Sequence, residues 1–155
     1  MKFLLLHGPN MNLLGERKPE VYGTVRYEQL NAVLVEYATS YGLELIIKQT
    51  NHEGELIDLL HKYATGEKAD TSKAAAVIFN PGAYTHTSIA LRDAVEACTV
   101  PVIEVHMSNI HGREGFRQKS VIAPVCMGQI SGFGVLSYFL AIYALVKQFG
   151  VDAAR

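Results

Sequence analysis

The chain has 155 residues, of which 49% are hydrophobic and 19% are charged, and its formal net charge at pH 7 is −1. This length and composition are typical of a globular protein with a sizeable core, so we predict a single domain over residues 1–155. The nearly neutral charge argues against a broad surface for nucleic acid or for an anionic membrane.

The cysteines and the apolar segments indicate a soluble protein of a reducing compartment. Cys98 and Cys126 lie in apolar stretches without a CxxC pair, so we expect small buried thiols and a cytoplasmic location. Residues 3–6 are too short for the apolar region of a signal peptide. Residues 133–149 are interrupted by Gly134 and two tyrosines, which favours a core helix over a membrane span.

The first half of the chain predicts two strands, each followed by a helix. Residues 2–6 predict a buried strand, because they are apolar from Phe3 to Leu6, and the strand ends at His7-Gly8-Pro9-Asn10. Residues 11–23 then form a long loop, and such loops are often lids or binding loops, here with Gly15 and Gly23 as hinges. Apolar and aromatic residues at helical spacing predict a helix over residues 27–41, then a strand over 43–49 and a helix from Glu53.

The second half of the chain continues the alternation. After an exposed loop over residues 65–73, residues 74–79 predict a third strand, and the polar stretch 80–88 leads into a helix over 89–98 that Thr87 or Ser88 can cap. Residues 100–106 predict the fourth strand. Residues 123–130 could hold a short fifth strand, broken by Pro124 and Gly128, before the last helix over residues 133–149.

Strands and helices that alternate in this way predict an α/β fold, with a parallel sheet between two layers of helices. Five strands in a chain of this length favour a flavodoxin-like sandwich with strand order 2-1-3-4-5. Ligands of such sheets bind at the carboxyl ends of the strands, where strands one, three and four would bring together Asn10, Asn80, His86 and His106. The alternative for the third-strand loop is a simple Pro-Gly turn with a solvated His86.

The polar residues at these strand ends favour acid–base chemistry without a cofactor. The sequence has no GxGxxG after a strand, no GxxxxGK[ST], no GxSxG and no HExxH. No histidine pair has the spacing of metal ligands on one element, so we expect no metal site. Histidine, tyrosine, arginine, asparagine and serine around a polar crevice suit a small, anionic substrate.

Two pairs of residues could supply the acid and the base. Tyr22 lies on the same loop as Arg17, and a guanidinium that favours the phenolate would make the tyrosine a better base; the alternative is a packed loop tyrosine. Glu104 and His106 lie on the same side of the fourth strand, where a carboxylate can orient the imidazole and favour its protonated form. The alternative is a glutamate satisfied by backbone groups and an ordinary strand-end histidine.

Arg113 and Arg117 are four residues apart, so one helical turn would place both on one face. Arg117 could bind a carboxylate through two parallel hydrogen bonds, whereas both arginines could also form an ordinary solvated face.

Several long motifs then match one known family. They are His7-Gly8-Pro9-Asn10-Met11-Asn12-Leu13-Leu14-Gly15, Arg17 with Tyr22-Gly23, Asn80-Pro81-Gly82-Ala83-Tyr84-Thr85-His86-Thr87-Ser88, Leu91-Arg92-Asp93-Ala94 and Glu104-Val105-His106-Met107-Ser108-Asn109-Ile110-His111. With Arg113 and Arg117 in the expected places, the sequence resembles type II 3-dehydroquinate dehydratase over almost its whole length.

The resemblance implies a reaction and a set of catalytic residues. The reaction is the reversible dehydration of 3-dehydroquinate to 3-dehydroshikimate in the shikimate pathway, through an enolate and with no metal or cofactor. Tyr22 would remove the proton next to the ketone, with support from Arg17, and a water near Asn10 would stabilise the enolate. His106, positioned by Glu104, would protonate the leaving hydroxyl.

The resemblance also implies how substrate binds and how the chain assembles. Asn80, His86, Arg117 and the backbone of Met107 and Ser108 would bind the hydroxyls and the carboxylate. Asp93 would reach the site of a neighbouring subunit in a dodecamer made of four trimers.

Two other classes of protein are alternatives from the sequence. One is a flavodoxin-like module that binds a flavin or a phosphate-bearing ligand at the same crevice, although the phosphate loop is missing. The other is a signalling or scaffold protein, which would need an acidic phosphorylation cluster where this chain has histidine and asparagine.

Overall fold

The computed structural model describes residues 1–16, 20, 24–66 and 70–153. The strands are β1 (Lys2–His7), β2 (Glu44–Gln49), β3 (Ala76–Asn80), β4 (Val102–His106) and β5 (Gly128–Ser131). The helices are α1 (Tyr27–Thr39), α2 (Glu53–Ala64), α3 (Ile89–Glu96) and α4 (Leu136–Gln148). Short 3-10 turns cover Met11–Leu13, Gly82–His86, Ile110–Gly112, Gly115–Arg117 and Ala123–Val125.

The strands form one parallel sheet in the order β2-β1-β3-β4-β5, which confirms the predicted flavodoxin-like topology. The register places His7 of β1 beside Asn80 of β3, and Glu104 of β4 beside Gln129 of β5. Because all the strands run in the same direction, these polar residues lie near one edge of the sheet.

Both faces of the sheet are covered by helices, and alternate residues of β1 show how. Phe3 and Leu5 pack in one apolar cluster with α1 and α4, whereas Leu4 and Leu6 pack in a second cluster with α2 and α3. Each of these side chains is fully buried. A strand that is buried on both faces needs a continuous apolar run, which is the pattern of residues 3–6.

The fifth strand is where the predicted boundaries were furthest from the structure. Residues 123–125 form a 3-10 turn with Pro124 near its start, and the strand begins only at Gly128. Proline lacks the N–H that a strand in the sheet would donate, so the pairing with β4 starts after it. The other elements agree with the prediction to within a few residues at their ends.

The cysteines are half-buried rather than fully buried. Cys98 and Cys126 are free thiols, and burial raises the pKa of Cys98 to about 11 and that of Cys126 to about 12. Both groups are therefore protonated at neutral pH. In the described residues, no helix is long and apolar enough to cross a membrane.

Candidate active site

A cavity of about 150 Å³ opens at the carboxyl ends of β1, β3 and β4. This volume is below the roughly 300–1,000 Å³ that is usual for sites of drug-sized ligands. The cavity therefore suits a small molecule better than a dinucleotide. The lining residues come from the segments that follow these strands: Pro9, Asn10, Met11, Leu13, Leu14, Asn80, Gly82, Ala83, His86, His106, Met107, Ser108, Ile110, Arg113 and Arg117.

The chain leaves β1 through a close contact with the end of β3. The N–H of Gly8 donates to the carbonyl of Asn80 at 2.7 Å, and a Cβ atom at Gly8 would lie 2.7 Å from the backbone of Pro81. Asn10 follows with a φ of 68°, which asparagine tolerates better than most residues. Its N–H donates to the side chain of Asn51 at 3.0 Å, so the turn that presents Asn10 is held in place.

Asn80 lies at the end of β3 with its carboxamide in a fixed orientation. Its Oδ1 accepts from the N–H of Gly82 at 3.1 Å, and its Nδ2 donates to the hydroxyl of Tyr138 at 2.7 Å and contacts the sulfur of Met11 at 3.5 Å. One lone pair of Oδ1 remains available, and it can accept from a ligand hydroxyl.

His86 ends the 3-10 turn after β3. Its Nδ1 lies 2.8 Å from the carbonyl of Lys119, and because a carbonyl can only accept, Nδ1 carries the proton. Nε2 of the neutral ring is therefore an acceptor. The next helix begins as predicted, since Oγ of Ser88 accepts from the N–H of Leu91 at 2.9 Å and caps α3.

Glu104 and His106 form a buried pair at the end of β4. Nε2 of His106 lies 2.5 Å from Oε1 of Glu104, and the carboxylate is fully buried while the imidazole lines the cavity. A carboxylate accepts, so Nε2 donates and Nδ1 is the nitrogen left for a ligand. The predicted alternation along β4 is thereby confirmed.

The Glu104 carboxylate is surrounded by donors from three other segments. The hydroxyl of Thr85 and the amide of Gln129 donate to Oε1 at 2.5 and 3.1 Å, and the hydroxyl of Ser120 donates to Oε2 at 2.8 Å. Burial by itself would raise the pKa of Glu104, but the hydrogen bonds from His106, Thr85 and Ser120 hold it below its usual value. Glu104 is therefore ionised at neutral pH.

Arginines form the basic side of the cavity. Arg113 donates to Oγ of Ser108 at 3.2 Å, and the Nε atoms of Arg113 and Arg117 each lie 3.5 Å from the carboxylate of Glu114. The shared helical turn that was predicted for the two arginines is wrong. Arg113 lies in the break between two 3-10 turns, Arg117 ends the second turn, and the two side chains converge on Glu114 instead.

Most of the predicted site residues meet at this cavity. Asn10, Asn80, His86, His106, Met107, Ser108 and Arg117 line it, and Glu104 lies directly behind His106. Asp93 is exposed on α3 and does not line the cavity of its own chain. Arg17 and Tyr22 lie outside the described residues.

Comparison with known proteins decides the family. The family model described as "Dehydroquinase class II" matches residues 1–146. The chain belongs to the class II dehydroquinase family. It is 58% identical to the 3-dehydroquinate dehydratase of Pelotomaculum thermopropionicum over 97% of this chain and 99% of that protein. It is 54% identical to the one of Caldicellulosiruptor bescii over 93% and 95% of the two chains.

Solved structures of class II dehydroquinases have the same fold. The type II dehydroquinase of Butyrivibrio crossotus matches with a TM-score of 0.86 at 43% identity, over 94% of this chain and 97% of that chain. The one of Propionibacterium acnes matches with a TM-score of 0.85 at 38% identity, over 94% and 96% of the two chains.

Sequence reasoning missed several residues of this dehydroquinase site. Arg113 lines the cavity, although it matches the family motif without being predicted as a site residue, and its four-residue spacing from Arg117 is the available signal. Thr85, Ser120 and Gln129 were not singled out. Gln129 pairs with Glu104 in the sheet register, but that register depends on the position of β5, which is hard to predict from the sequence.

Among the described residues, no group of three or more histidine, cysteine or acidic side chains could hold a metal.

Proposed function

We propose that this chain catalyses the reversible dehydration of 3-dehydroquinate to 3-dehydroshikimate as part of the shikimate pathway, without a metal or a cofactor. The observation that carries the proposal is the buried Glu104–His106 pair, which presents one imidazole nitrogen to a small cavity with a basic side. This arrangement combines a proton donor with a binding site for an anionic polar substrate, which is what the family's reaction requires.

His106 is the proposed general acid. Its Nε2 donates to Glu104, so the proton for the leaving hydroxyl is carried on Nδ1. When that proton moves to the hydroxyl, the C–O bond breaks, water leaves, and the ring becomes neutral. The ionised carboxylate behind the ring stabilises the imidazolium before transfer, and the donors around it keep the carboxylate charged.

Tyr22 is the proposed base, and Arg17 supports its phenolate. Both assignments rest on the sequence motif, because these residues lie outside the described part of the chain. The phenolate takes the proton next to the ketone, and the electron pair of that C–H bond forms an enolate. A water held near Asn10 donates to the enolate oxygen. The enolate then collapses to the conjugated enone as the hydroxyl leaves.

The remaining cavity residues are proposed to bind the substrate. Arg117 binds the carboxylate, and it is suited to this role because it lines the cavity and a planar guanidinium can hold a carboxylate through two parallel hydrogen bonds. Nε2 of His86 and Oδ1 of Asn80 accept from substrate hydroxyls, and the backbone of Met107 and Ser108 completes the site. Arg113 adds a second positive charge on the same side.

We further propose that the chain assembles as a dodecamer of four trimers in the cytoplasm, with Asp93 contributing to a neighbouring site. Exposed apolar side chains support an assembly: Phe133, Leu136 and Leu140 on and before α4 are 60%, 59% and 42% exposed. The exposed position of Asp93 on α3 leaves its carboxylate available to another subunit. The free thiols are in keeping with a reducing compartment.

The reaction gives a conjugated enone, so ultraviolet absorbance tests the proposal directly. Purified protein is mixed with 3-dehydroquinate in the absence of metal and cofactor, with and without prior borohydride treatment in the presence of substrate. We expect the absorbance to rise in both cases, because no lysine imine is formed. No rise with folded protein would contradict the proposed function.

A tyrosine variant tests the proposed base. Tyr22→Phe should lower kcat by about 10³-fold or more while KM changes little, since only the proton acceptor is lost. Tyr63→Phe is the matched control, because Tyr63 lies far from the cavity, near the end of α2. Its carbonyl accepts from the N–H of Ala74, just before β3, so it lies at the amino ends of the strands, whereas the cavity lies at their carboxyl ends. Full activity of Tyr22→Phe would remove Tyr22 from the mechanism.

A further inference from the structure

A chain of buried polar side chains leads away from the cavity on the α1 and α4 side of the sheet. It begins at Asn80, whose Nδ2 lies 2.7 Å from the hydroxyl of Tyr138. That hydroxyl lies 3.4 Å from Nδ1 of His7, and Nε2 of His7 lies 3.2 Å from Oδ1 of Asn31. Tyr138 and His7 are fully buried, so their polar atoms have only each other and their neighbours as partners.

One backbone group sets the direction of every hydrogen bond in this series of side chains. The N–H of Gly82 can only donate, so the atom of Asn80 that faces it at 3.1 Å must be the carboxamide oxygen. The carboxamide nitrogen therefore faces Tyr138 and donates to it. The hydroxyl of Tyr138 accepts from Asn80 and has its own hydrogen left to donate.

The remaining hydrogen bonds of the series follow from the direction in which the Tyr138 hydroxyl donates. Tyr138 donates to Nδ1 of His7, so Nδ1 is unprotonated and the ring carries its proton on Nε2. Nε2 then donates to Oδ1 of Asn31, which is an acceptor. Donors and acceptors match at each step, so the chain has one consistent direction, from Asn80 through Tyr138 and His7 to Asn31. Burial favours the neutral imidazole that this direction needs.

We propose that Tyr138 is a positioning residue that holds the Asn80 carboxamide with its oxygen available to the substrate, and that His7 and Asn31 fix the direction in which Tyr138 acts. This inference rests on the proposed function, since it gives Asn80 the task of accepting a hydrogen bond from a substrate hydroxyl. Without the Tyr138 oxygen, the Asn80 amide nitrogen would lose its close acceptor and keep only the weak contact with the Met11 sulfur. The carboxamide would then be held mainly by the N–H of Gly82 and could tilt about that bond, so that Oδ1 would no longer point steadily at the substrate hydroxyl.

A double-mutant cycle in steady-state kinetics tests whether Tyr138 acts through Asn80. The variants are Tyr138→Phe, Asn80→Ala and the two together, assayed with 3-dehydroquinate by enone absorbance. We expect Tyr138→Phe to raise KM by about tenfold, or about 1.4 kcal/mol, with a smaller effect on kcat. In the Asn80→Ala background the same substitution should change KM by less than about twofold, because the group that it positions is gone.

Tyr143→Phe is the matched control, because Tyr143 lies on the same helix and is 45% exposed. It should leave both kinetic parameters near those of the wild type. Equal effects of Tyr138→Phe in the two backgrounds, or no effect on KM in either, would overturn the positioning role. A merely structural role of Tyr138 would give equal effects, because damage to the fold does not depend on the Asn80 side chain.

Two further results keep the test decisive. If Tyr138→Phe does not fold, the cycle is run with Asn31→Leu at the half-buried end of the chain, and independence from Asn80 would again overturn the inference. A folded wild-type protein without dehydratase activity would overturn the proposed function and this inference together. An active wild type with independent effects would overturn only the inference.

Discussion

His7 should make the protein markedly less stable in mild acid. The imidazole is fully buried between Asn31 and Tyr138, and burial lowers the pKa of His7 from 6.5 to about 4, partly offset by its hydrogen bond with Asn31. Its aromatic neighbours Tyr27 and Tyr138 do not compensate for a positive charge, since burial raises the pKa of both and they are neutral throughout the acid range.

The sign and size of the effect follow from the two pKa values. Between about pH 4 and pH 6.5 the unfolded chain binds a proton at His7 and the folded chain does not, so stability falls as the pH is lowered through this range. The loss is complete near pH 4. The difference between 6.5 and about 4 corresponds to about 3 kcal/mol, a large share of the roughly 5–15 kcal/mol that stabilises a typical domain.

Urea unfolding of wild type and His7→Gln at a series of pH values measures this contribution. Glutamine keeps one donor and one acceptor but does not titrate, so the wild type should lose about 3 kcal/mol more than the variant between pH 7 and pH 4. His52→Gln makes the same change at an exposed histidine and should follow the wild type. All samples need equal protein concentration, because the proposed assembly would make stability depend on concentration. Parallel curves for wild type and His7→Gln would refute the reasoning.

The other predictions concern the acid, the substrate carboxylate and the turn after β1. Glu104→Gln removes the charge behind the imidazole and should lower kcat by about 10²–10⁴-fold with little change in KM, and an unchanged kcat would count against the pair. Arg117→Lys cannot bind a carboxylate through two parallel hydrogen bonds and should raise KM by about tenfold, whereas a wild-type KM would place the carboxylate elsewhere. Gly8→Ala should destabilise the fold by about 1–3 kcal/mol, since its Cβ would meet the backbone of Pro81 at 2.7 Å. Gly54→Ala, in α2 with no heavy atom within 4 Å, should stabilise it by about 0.5–1 kcal/mol in the same urea experiment, and equal effects would contradict the steric argument.

The interior of this fold could be predicted from the sequence because burial on both faces leaves a continuous apolar run. Residues 3–6 and 76–79 show that pattern, and they form the central strands β1 and β3. The edge strand β5 has the sequence Gly-Gln-Ile-Ser, is half-buried throughout and, among the described strands, pairs with β4 alone. An edge strand needs no such run, which is why its start was misplaced.

The site could be predicted where residues follow a strand directly, and not where irregular backbone sets their direction. The register and the alternation of side chains place Asn80 and His106 at the cavity without further information. Arg113 reaches the cavity from a break between two 3-10 turns, whose course has no periodic signal. Ser120 lies 16 residues after Glu104 in the sequence, and only the folded structure brings the two side chains together.

The two polar networks behind the cavity lie on opposite faces of the sheet. His7 and Asn80 share the face of Phe3 and Ile78, toward α1 and α4, whereas Glu104 lies opposite to its neighbours on β4 that pack with that cluster. The network on the α1 and α4 side is neutral and orients a hydrogen-bond acceptor. The network around Glu104 is charged and contacts His106, the proposed proton donor.

This separation has a consequence for how the site is tuned. The sheet and its apolar residues lie between the two networks, and among the described residues no side-chain hydrogen bond links them. A substitution in one network should therefore act on substrate binding or on proton transfer without altering the other. Tyr138→Phe and Gln129→Leu, one from each network, are expected to have additive effects on kcat/KM, as distant and independent sites do. A coupling of more than about 0.5 kcal/mol between them would show that the sheet transmits the change.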